Sequence, residues 1–210
     1  MWLYGIPGCG KTVLSASIVQ NLTLRTRGDR SRIVLYFYFD FNREYSTRDM
    51  IRWFVQQATD GQSMIHPKLR QLHNSCGRGE VLPEDIQLFD VLQDMLEPFD
   101  DAYLLIDALD ECTDKMKLEY YIERMSTWES DRLHVLMTSR REAFILNCLA
   151  PKVREDLQID FGAQENGDIK LWLEDQLTNR PVGAKFNKWT RPFDTKRMIL
   201  ETLLARSAGM

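Results

Sequence analysis

The sequence contains few of the residues that build metal centres and disulfide frameworks. Its four cysteines form no C-x-x-C pair, and its three histidines are not clustered in a ligand pattern. We therefore expect reduced thiols. The spacing of His73 and Cys76 would let them share a metal, but the polar, glycine-containing stretch around them is more typical of a surface loop.

The chain also lacks a long apolar run and an excess of positive charge, and we expect no signal peptide. No stretch approaches the ~18 apolar residues of a membrane span, and Met1 leads directly into an apolar segment of strand length. We therefore expect a cytoplasmic protein with no membrane partner. The formal net charge of −4 argues against a general nucleic-acid binder, because such proteins neutralise phosphates with Lys and Arg.

What the sequence does contain is enough apolar material for a globular domain, in an order of alternating strands and helices. Of its 210 residues, 44% are hydrophobic, which allows one domain or slightly more. Continuous apolar runs predict buried strands, and apolar residues at helical spacing predict helices. The predicted strands are residues 2–4, 33–39, 102–106, 133–137 and 157–159; the predicted helices are 10–24, 46–59, 67–74, 83–98, 115–127, 168–177 and 195–206.

A glycine-rich turn near the start of the chain fits the phosphate-binding pattern G-x-x-x-x-G-K-[ST] at every fixed position. Its glycines allow positive φ, which turns several backbone N–H groups toward one anion. The helix that follows directs its N-terminal N–H groups and dipole at the same anion. We therefore predict that the turn binds the phosphates of a nucleotide through Gly5, Ile6, Pro7, Gly8, Cys9, Gly10, Lys11 and Thr12.

Two side chains of this turn have distinct predicted roles. Lys11 adds a full positive charge to the cradle. Thr12 offers a hydroxyl oxygen, a hard ligand, to the Mg²⁺ that accompanies a nucleoside triphosphate. The apolar segments before and after the turn predict the strand, loop and helix order that this motif requires.

An apolar strand that ends in acidic residues is the second candidate segment. Asp107 ends the strand, and Asp110 and Glu111 follow shortly after it. An aspartate in this position can hold Mg²⁺, usually through a water, and acids just beyond it can orient or deprotonate an attacking water. We therefore predict Thr12 and Asp107 as metal ligands and Asp110 and Glu111 as catalytic residues.

A structural explanation of the acids stands beside the catalytic one. Acidic residues commonly precede helices, so the alternative is that Asp110 or Asp114 caps the helix predicted at residues 115–127. A third apolar strand, at residues 133–137, also ends in polar groups and a cation, Arg140.

Taken in order, three segments resemble the NACHT class of STAND signalling NTPases: G-I-P-G-C-G-K-T, L-L-I-D-A-L-D-E and M-T-S-R. The small residue Ala108 after Asp107, with acids at 110 and 111, is the most specific mark. The sequence is most similar to fungal members, such as NOD-like vegetative-incompatibility receptors, and to the nephrocystin-like N-terminal domain.

The resemblance implies an α/β P-loop NTPase fold, a three-layer parallel sheet flanked by helices and followed by the start of a helical lid. The strand ending at Arg140 would lie between the strand of the turn and the strand of Asp107. Arg140 resembles the sensor arginine that detects the γ-phosphate, although Arg141 follows where many relatives have proline, so both arginines stay candidates. The implied core is residues 1–162, and residues 163–210 begin a truncated helical subdomain.

The function predicted from these segments is binding of Mg²⁺ with ATP or GTP, and slow hydrolysis, as a signalling switch. Two alternatives stay open: an interaction scaffold that binds nucleotide without turnover, and a small-molecule phosphotransferase. The resembling receptors carry effector and repeat domains beyond this region, which makes such domains expected partners. An apolar stripe on the last predicted helix indicates self-association as a second kind of partner.

Overall fold

The computed structural model describes residues 1–60, 62, 64–128 and 131–161. The described residues form five strands: β1 (Trp2–Tyr4), β2 (Arg32–Tyr38), β3 (Asp101–Asp107), β4 (Leu133–Ser139) and β5 (Gln158–Asp160). The same part of the chain also forms six α-helices: α1 (Lys11–Arg25), α2 (Thr47–Asp60), α3 (Pro67–Ser75), α4 (Asp85–Leu96), α5 (Lys115–Ser126) and α6 (Ala143–Leu149). Short 3₁₀ turns occur at Gly77–Gly79, Leu109–Glu111 and Glu155–Leu157.

The chain divides by its contacts into two units. The main unit consists of Met1–Tyr4 and Gly10–Ile159, and Gly5–Cys9 belong to the second unit. The helices predicted after residue 168 lie outside the described residues, so the predicted subdomain at 163–210 stays a prediction. Within the described part of the chain, no helix is long and apolar enough to cross a membrane.

The strands form one sheet with the order β2-β3-β4-β1-β5. β4 pairs in parallel with both β1 and β3, and β3 pairs in parallel with β2. The predicted position of β4, between the strand of the turn and the strand of Asp107, is confirmed. In this register Tyr4 lies opposite Ser139 and Tyr38 lies opposite Asp107, so the carboxyl ends of four strands meet at one edge of the sheet.

Alternate residues of the strands supply the two cores on either face of the sheet. Leu104 and Ile106 join a large apolar cluster with buried residues of α2, α4, α5 and α6. Leu105 is also buried but points to the opposite face, where α1 lies against β2, β3 and β4. The parallel sheet with helices on both faces confirms the predicted three-layer α/β fold.

Helix α2 begins at two side-chain caps, one local and one distant. The backbone N–H and the hydroxyl of Ser46 donate to Asp49 Oδ2 at 2.9 and 2.6 Å, as the Ser-x-x-Asp spacing predicts. The N–H and hydroxyl of Thr47 donate to Asp114 Oδ1 at 2.7 and 2.6 Å. Asp114 is in the N-cap position of α5, but its side chain makes no cap bond there. Its side chain therefore caps α2.

Helix α6 was not predicted from the sequence. This helix has only seven residues, and its buried residues are Ile145, Cys148 and Leu149. These positions have the i, i+3, i+4 spacing of an amphipathic helix. A pattern this short also occurs in loops, so it does not identify a helix. Packing against the apolar cluster of the sheet stabilises it.

We expect Phe89→Ala to destabilise the domain strongly. Phe89 is 1% exposed, and its ring centroid lies 4.7 Å from that of Tyr121 and 5.0 Å from that of Trp128. Loss of a buried phenylalanine costs about 3–5 kcal/mol of unfolding free energy. Urea denaturation measures it, with Phe41→Ala as the matched control because Phe41 is 72% exposed. Equal shifts of the two midpoints would contradict the packing described.

Candidate functional site

Three hydroxyl groups surround the buried carboxylate of Asp107, the last residue of β3. Thr12 donates to Oδ2 at 2.7 Å, while Ser15 and Thr138 donate to Oδ1 at 2.7 and 2.6 Å. Asp107 is 3% exposed, and hydrogen bonds from three donors offset the cost of burying its charge. The two predicted metal ligands, Thr12 and Asp107, are therefore in direct contact.

Ser15 and Thr138 were not predicted from the sequence. Ser15 lies one turn after Thr12 on α1, and Thr138 lies beside Asp107 on the neighbouring strand β4. The spacing of Ser15 from Thr12 is a possible signal, because residues three apart share a helix face. The contact of Thr138 with Asp107 could be predicted only from the pairing of β3 with β4.

A sharp turn after Asp107 brings the next acids back over the end of the sheet. Ala108 has φ 57° and ψ 50°, in the left-handed region of backbone conformation that residues other than Gly rarely adopt. Its N–H donates to Thr138 Oγ1 at 3.1 Å, and the following Leu109 is fully buried. The turn is thus held by β4 on one side and by the apolar core on the other.

Arg140 joins the two predicted catalytic acids. Its backbone N–H donates to Asp110 Oδ1 at 2.8 Å, and its Nε lies 3.2 Å from Asp110 Oδ2. Its Nη2 lies 3.6 Å from Glu111 Oε1. The side chain of Asp110 is 4% exposed, against 48% for that of Arg140, so this pair holds a buried carboxylate by charge-assisted bonds. The acid contacts Arg140 and does not cap α5.

Arg141 lies elsewhere. Its guanidinium carbon is 5.2 Å from the ring centroid of Tyr4, a cation–π distance. The residue before the two arginines is fixed as well, because the indole Nε1 of the fully buried Trp2 donates to Ser139 Oγ at 2.9 Å. The two candidate sensor residues therefore have separate environments: Arg140 contacts the acids, and Arg141 contacts an aromatic ring of β1.

Residues 5–9, taken alone, form a tight turn. Gly8 has φ 80°, and the N–H of Cys9 donates to the carbonyl of Ile6 at 3.4 Å. In the main unit, Gly10 precedes α1 with φ 94°, and its carbonyl accepts the first helical bond, from Leu14, at 2.9 Å. Positive φ at two glycines of the motif agrees with the predicted turn.

The start of α1 suits an anion. Lys11 and Thr12 are the first two residues of this helix, and its first turn contains no acidic residue. N-terminal N–H groups and the helix dipole favour negative charge at such an end.

The residues around Thr12 fit Mg²⁺. Its hydroxyl and Asp107 Oδ2, 2.7 Å apart, are hard oxygen donors of the kind that this ion prefers. The described ranges contain no group of three or more His, Cys, Asp or Glu able to hold a metal, so waters and phosphate oxygens would complete the coordination. That division of ligands is typical of Mg²⁺ bound with a nucleotide.

The acidic segment is also bound to the loop between β2 and α2, residues 39–46. The N–H of Phe39 donates to the carbonyl of Asp107 at 3.1 Å, and the N–H of Phe41 donates to Glu111 Oε2 at 3.0 Å. Further along, the N–H and hydroxyl of Thr113 both donate to the Tyr45 carbonyl at 3.2 Å. These hydrogen bonds attach the loop to the acidic segment.

Cys112 completes this contact region as a buried thiol. It is 3% exposed, and its Sγ lies 3.5 Å from Thr47 Oγ1. Burial, the largest cause, raises the pKa of the Cys112 thiol to about 11. Since the thiolate is the reactive form, this cysteine is inert at neutral pH.

Solved structures similar to this chain share its fold at low sequence identity. They include the ORC1 protein of Aeropyrum pernix in complex with DNA (TM-score 0.54, 13% identity, 83% of this chain and 43% of that one). Cdc6p from Pyrobaculum aerophilum matches with TM-score 0.55 and 15% identity, over 83% of this chain and 42% of that one. Drosophila ORC bound to DNA matches with TM-score 0.51 and 16% identity, over 86% and 40%.

These likenesses confirm the predicted three-layer α/β P-loop fold. The chain spans less than half the length of each of these three proteins. No curated protein sequence matches it. The family model described as "Nephrocystin 3, N-terminal" matches residues 1–140, which include the glycine-rich turn, the acidic segment and Arg140. The chain therefore belongs to the nephrocystin-3 N-terminal family.

Proposed function

We propose that this chain binds ATP or GTP together with Mg²⁺ and hydrolyses the nucleotide slowly, as a signalling switch of the NOD-like receptor type. The observation that carries the proposal is the 2.7 Å hydrogen bond from Thr12 to Asp107. It joins the end of the glycine-rich turn to the acidic end of β3, so that one bound Mg²⁺ would contact both.

Each residue of the site would have one task. The backbone of residues 5–10 and the Lys11 ammonium would hold the phosphates, while Thr12 and Asp107 would hold the ion, which when bound neutralises phosphate charge. Glu111 would orient or deprotonate the attacking water, with Asp110 beside it. Arg140 would detect the γ-phosphate.

The contacts of Arg140 support slow turnover. Its guanidinium lies between Asp110 and Glu111, and Glu111 also accepts the N–H of Phe41. Both carboxylate oxygens of Glu111 therefore already have a partner, Oε1 in Arg140 and Oε2 in the N–H of Phe41, which leaves the group little freedom to approach a water. These contacts would have to change before Glu111 activates water.

Titration of the chain with a fluorescent nucleotide, with unlabelled ATP and GTP as competitors, tests the proposal. We expect binding that strengthens with Mg²⁺, and slow release of phosphate to water. Binding without any turnover would favour the interaction scaffold instead. Phosphate transfer only in the presence of a small-molecule acceptor would favour the phosphotransferase. Absence of binding by both nucleotides would contradict the proposal.

The partners that we propose follow from the receptor-type function. They are effector and repeat domains of a larger receptor, or a second copy of this chain. Sedimentation at several protein concentrations, with and without Mg-nucleotide, would detect the second copy.

A further inference from the structure

We propose that Ser15 and Thr138 are positioning residues that fix the carboxylate of Asp107 for Mg²⁺. This inference rests on the proposed function, because it concerns the same ion. The two residues lie on different elements, Ser15 on α1 and Thr138 on β4, and both donate to the same oxygen, Oδ1, at 2.7 and 2.6 Å.

Because of these two bonds, the two oxygens of the carboxylate have different partners. A carboxylate oxygen has about two lone-pair sites, and Oδ1 uses both on Ser15 and Thr138. Oδ2 accepts the Thr12 hydroxyl at 2.7 Å and keeps capacity for one more donor, such as a water of the ion. The hydroxyl pair therefore sets which oxygen faces Thr12.

The direction of each hydroxyl is determined by its surroundings. Thr138 Oγ1 accepts the N–H of Ala108 at 3.1 Å, so its own hydrogen is directed to Asp107. Ser15 donates to Asp107, whereas Ser17, on the same helix, donates to the carbonyl of Val13 at 2.9 Å. A serine within a helix commonly donates to the carbonyl four residues earlier, as Ser17 does. Ser15 instead donates outside its helix.

Burial makes these contacts costly to lose. Ser15 is 2% exposed and Thr138 is 1% exposed, so water does not readily replace a missing donor. A carboxylate that loses one donor is expected to rotate toward another partner, because a buried charge without hydrogen bonds is strongly unfavourable. Removing a group that hydrogen-bonds to a metal-ligating side chain typically lowers metal affinity ~10–100-fold.

The test is the Mg²⁺ concentration that gives half-maximal strengthening of fluorescent-nucleotide binding. Thr138→Val keeps the shape of the side chain and removes the hydroxyl, while Thr138→Ser keeps the hydroxyl and removes the methyl group. We expect Thr138→Val and Ser15→Ala to raise this concentration ~10-fold or more. Thr138→Ser and the control Ser17→Ala should stay within about two-fold of wild type. Binding in EDTA should change in none of them.

The outcomes separate this inference from the proposed function. A wild type that responds to Mg²⁺, with Thr138→Val and Ser15→Ala unchanged, overturns the inference alone. Equal losses in Thr138→Val and Thr138→Ser overturn it too, because the methyl group would then be what matters. A wild type that binds nucleotide without regard to Mg²⁺ contradicts the proposed function and this inference together. If Thr138→Val does not fold, Ser15→Ala decides.

Discussion

Lys11→Ala is expected to abolish nucleotide binding at concentrations where the wild type is saturated. Lys11 is the only side-chain cation in residues 5–12 and begins α1. An ammonium bound to phosphate oxygens makes charge-assisted hydrogen bonds, each contributing about 1.5–3 kcal/mol. We therefore expect affinity to fall at least ~100-fold, which corresponds to about 2.7 kcal/mol.

Fluorescent-nucleotide titration measures this loss, and Arg25→Ala is its matched control. Arg25 lies in the last turn of the same helix, so its removal changes the net charge equally at the opposite end of α1. We expect Arg25→Ala to bind within about two-fold of wild type. Unchanged affinity in Lys11→Ala would mean that nucleotide binds elsewhere, and equal losses in the two variants would indicate a non-specific charge effect.

Glu111→Gln is expected to separate chemistry from binding. The amide oxygen of Gln can still accept the N–H of Phe41, which now donates to Glu111 Oε2 at 3.0 Å, so the local fold should survive. An amide does not deprotonate water, and loss of a general base typically lowers turnover ~10²–10⁴-fold. We therefore expect nucleotide affinity within a few-fold of wild type and turnover reduced ~100-fold or more.

Two further variants, Asp107→Asn and Asp110→Asn, locate the roles within the acidic segment, and Glu97→Gln is their control. Asp107→Asn should raise the Mg²⁺ requirement, because it removes the charge that Thr12, Ser15 and Thr138 now surround. Glu97→Gln, at an exposed acid after α4, should leave both measurements unchanged. If Asp110→Asn removes turnover while Glu111→Gln does not, the general base is Asp110, and Glu111 acts only through Arg140.

Local patterns in the sequence predicted most elements of the fold because their signals lie within a few residues. The Ser46 cap of α2 and the glycines with positive φ belong to this class. α6 was missed because seven residues give too little periodicity. Asp114 was considered as a cap of its own helix, whereas its side chain bonds Thr47. That contact depends on how distant segments pack.

The candidate site was predictable to a similar degree. The motifs indicated Thr12 and Asp107, and the resemblance indicated that β4 lies between β1 and β3, which the sheet confirms. Ser15 belongs to no motif, and Thr138 lies in the M-T-S-R segment but had no role assigned to it. A buried hydroxyl donates to whatever acceptor the fold places beside it, so the partner of Thr138 follows only from the pairing of β3 with β4.

The distant cap of α2 has a consequence for the order of folding. Thr47 and Asp114 are 67 residues apart in sequence, so the start of α2 cannot gain this cap until a long loop has closed and β3 is in place. Closing such a loop lowers the entropy of the chain before any stabilising contact forms. Contacts between residues far apart in sequence therefore slow folding. We therefore expect the first turn of α2 to be completed late, together with the acidic segment, and the two to open together in the native protein.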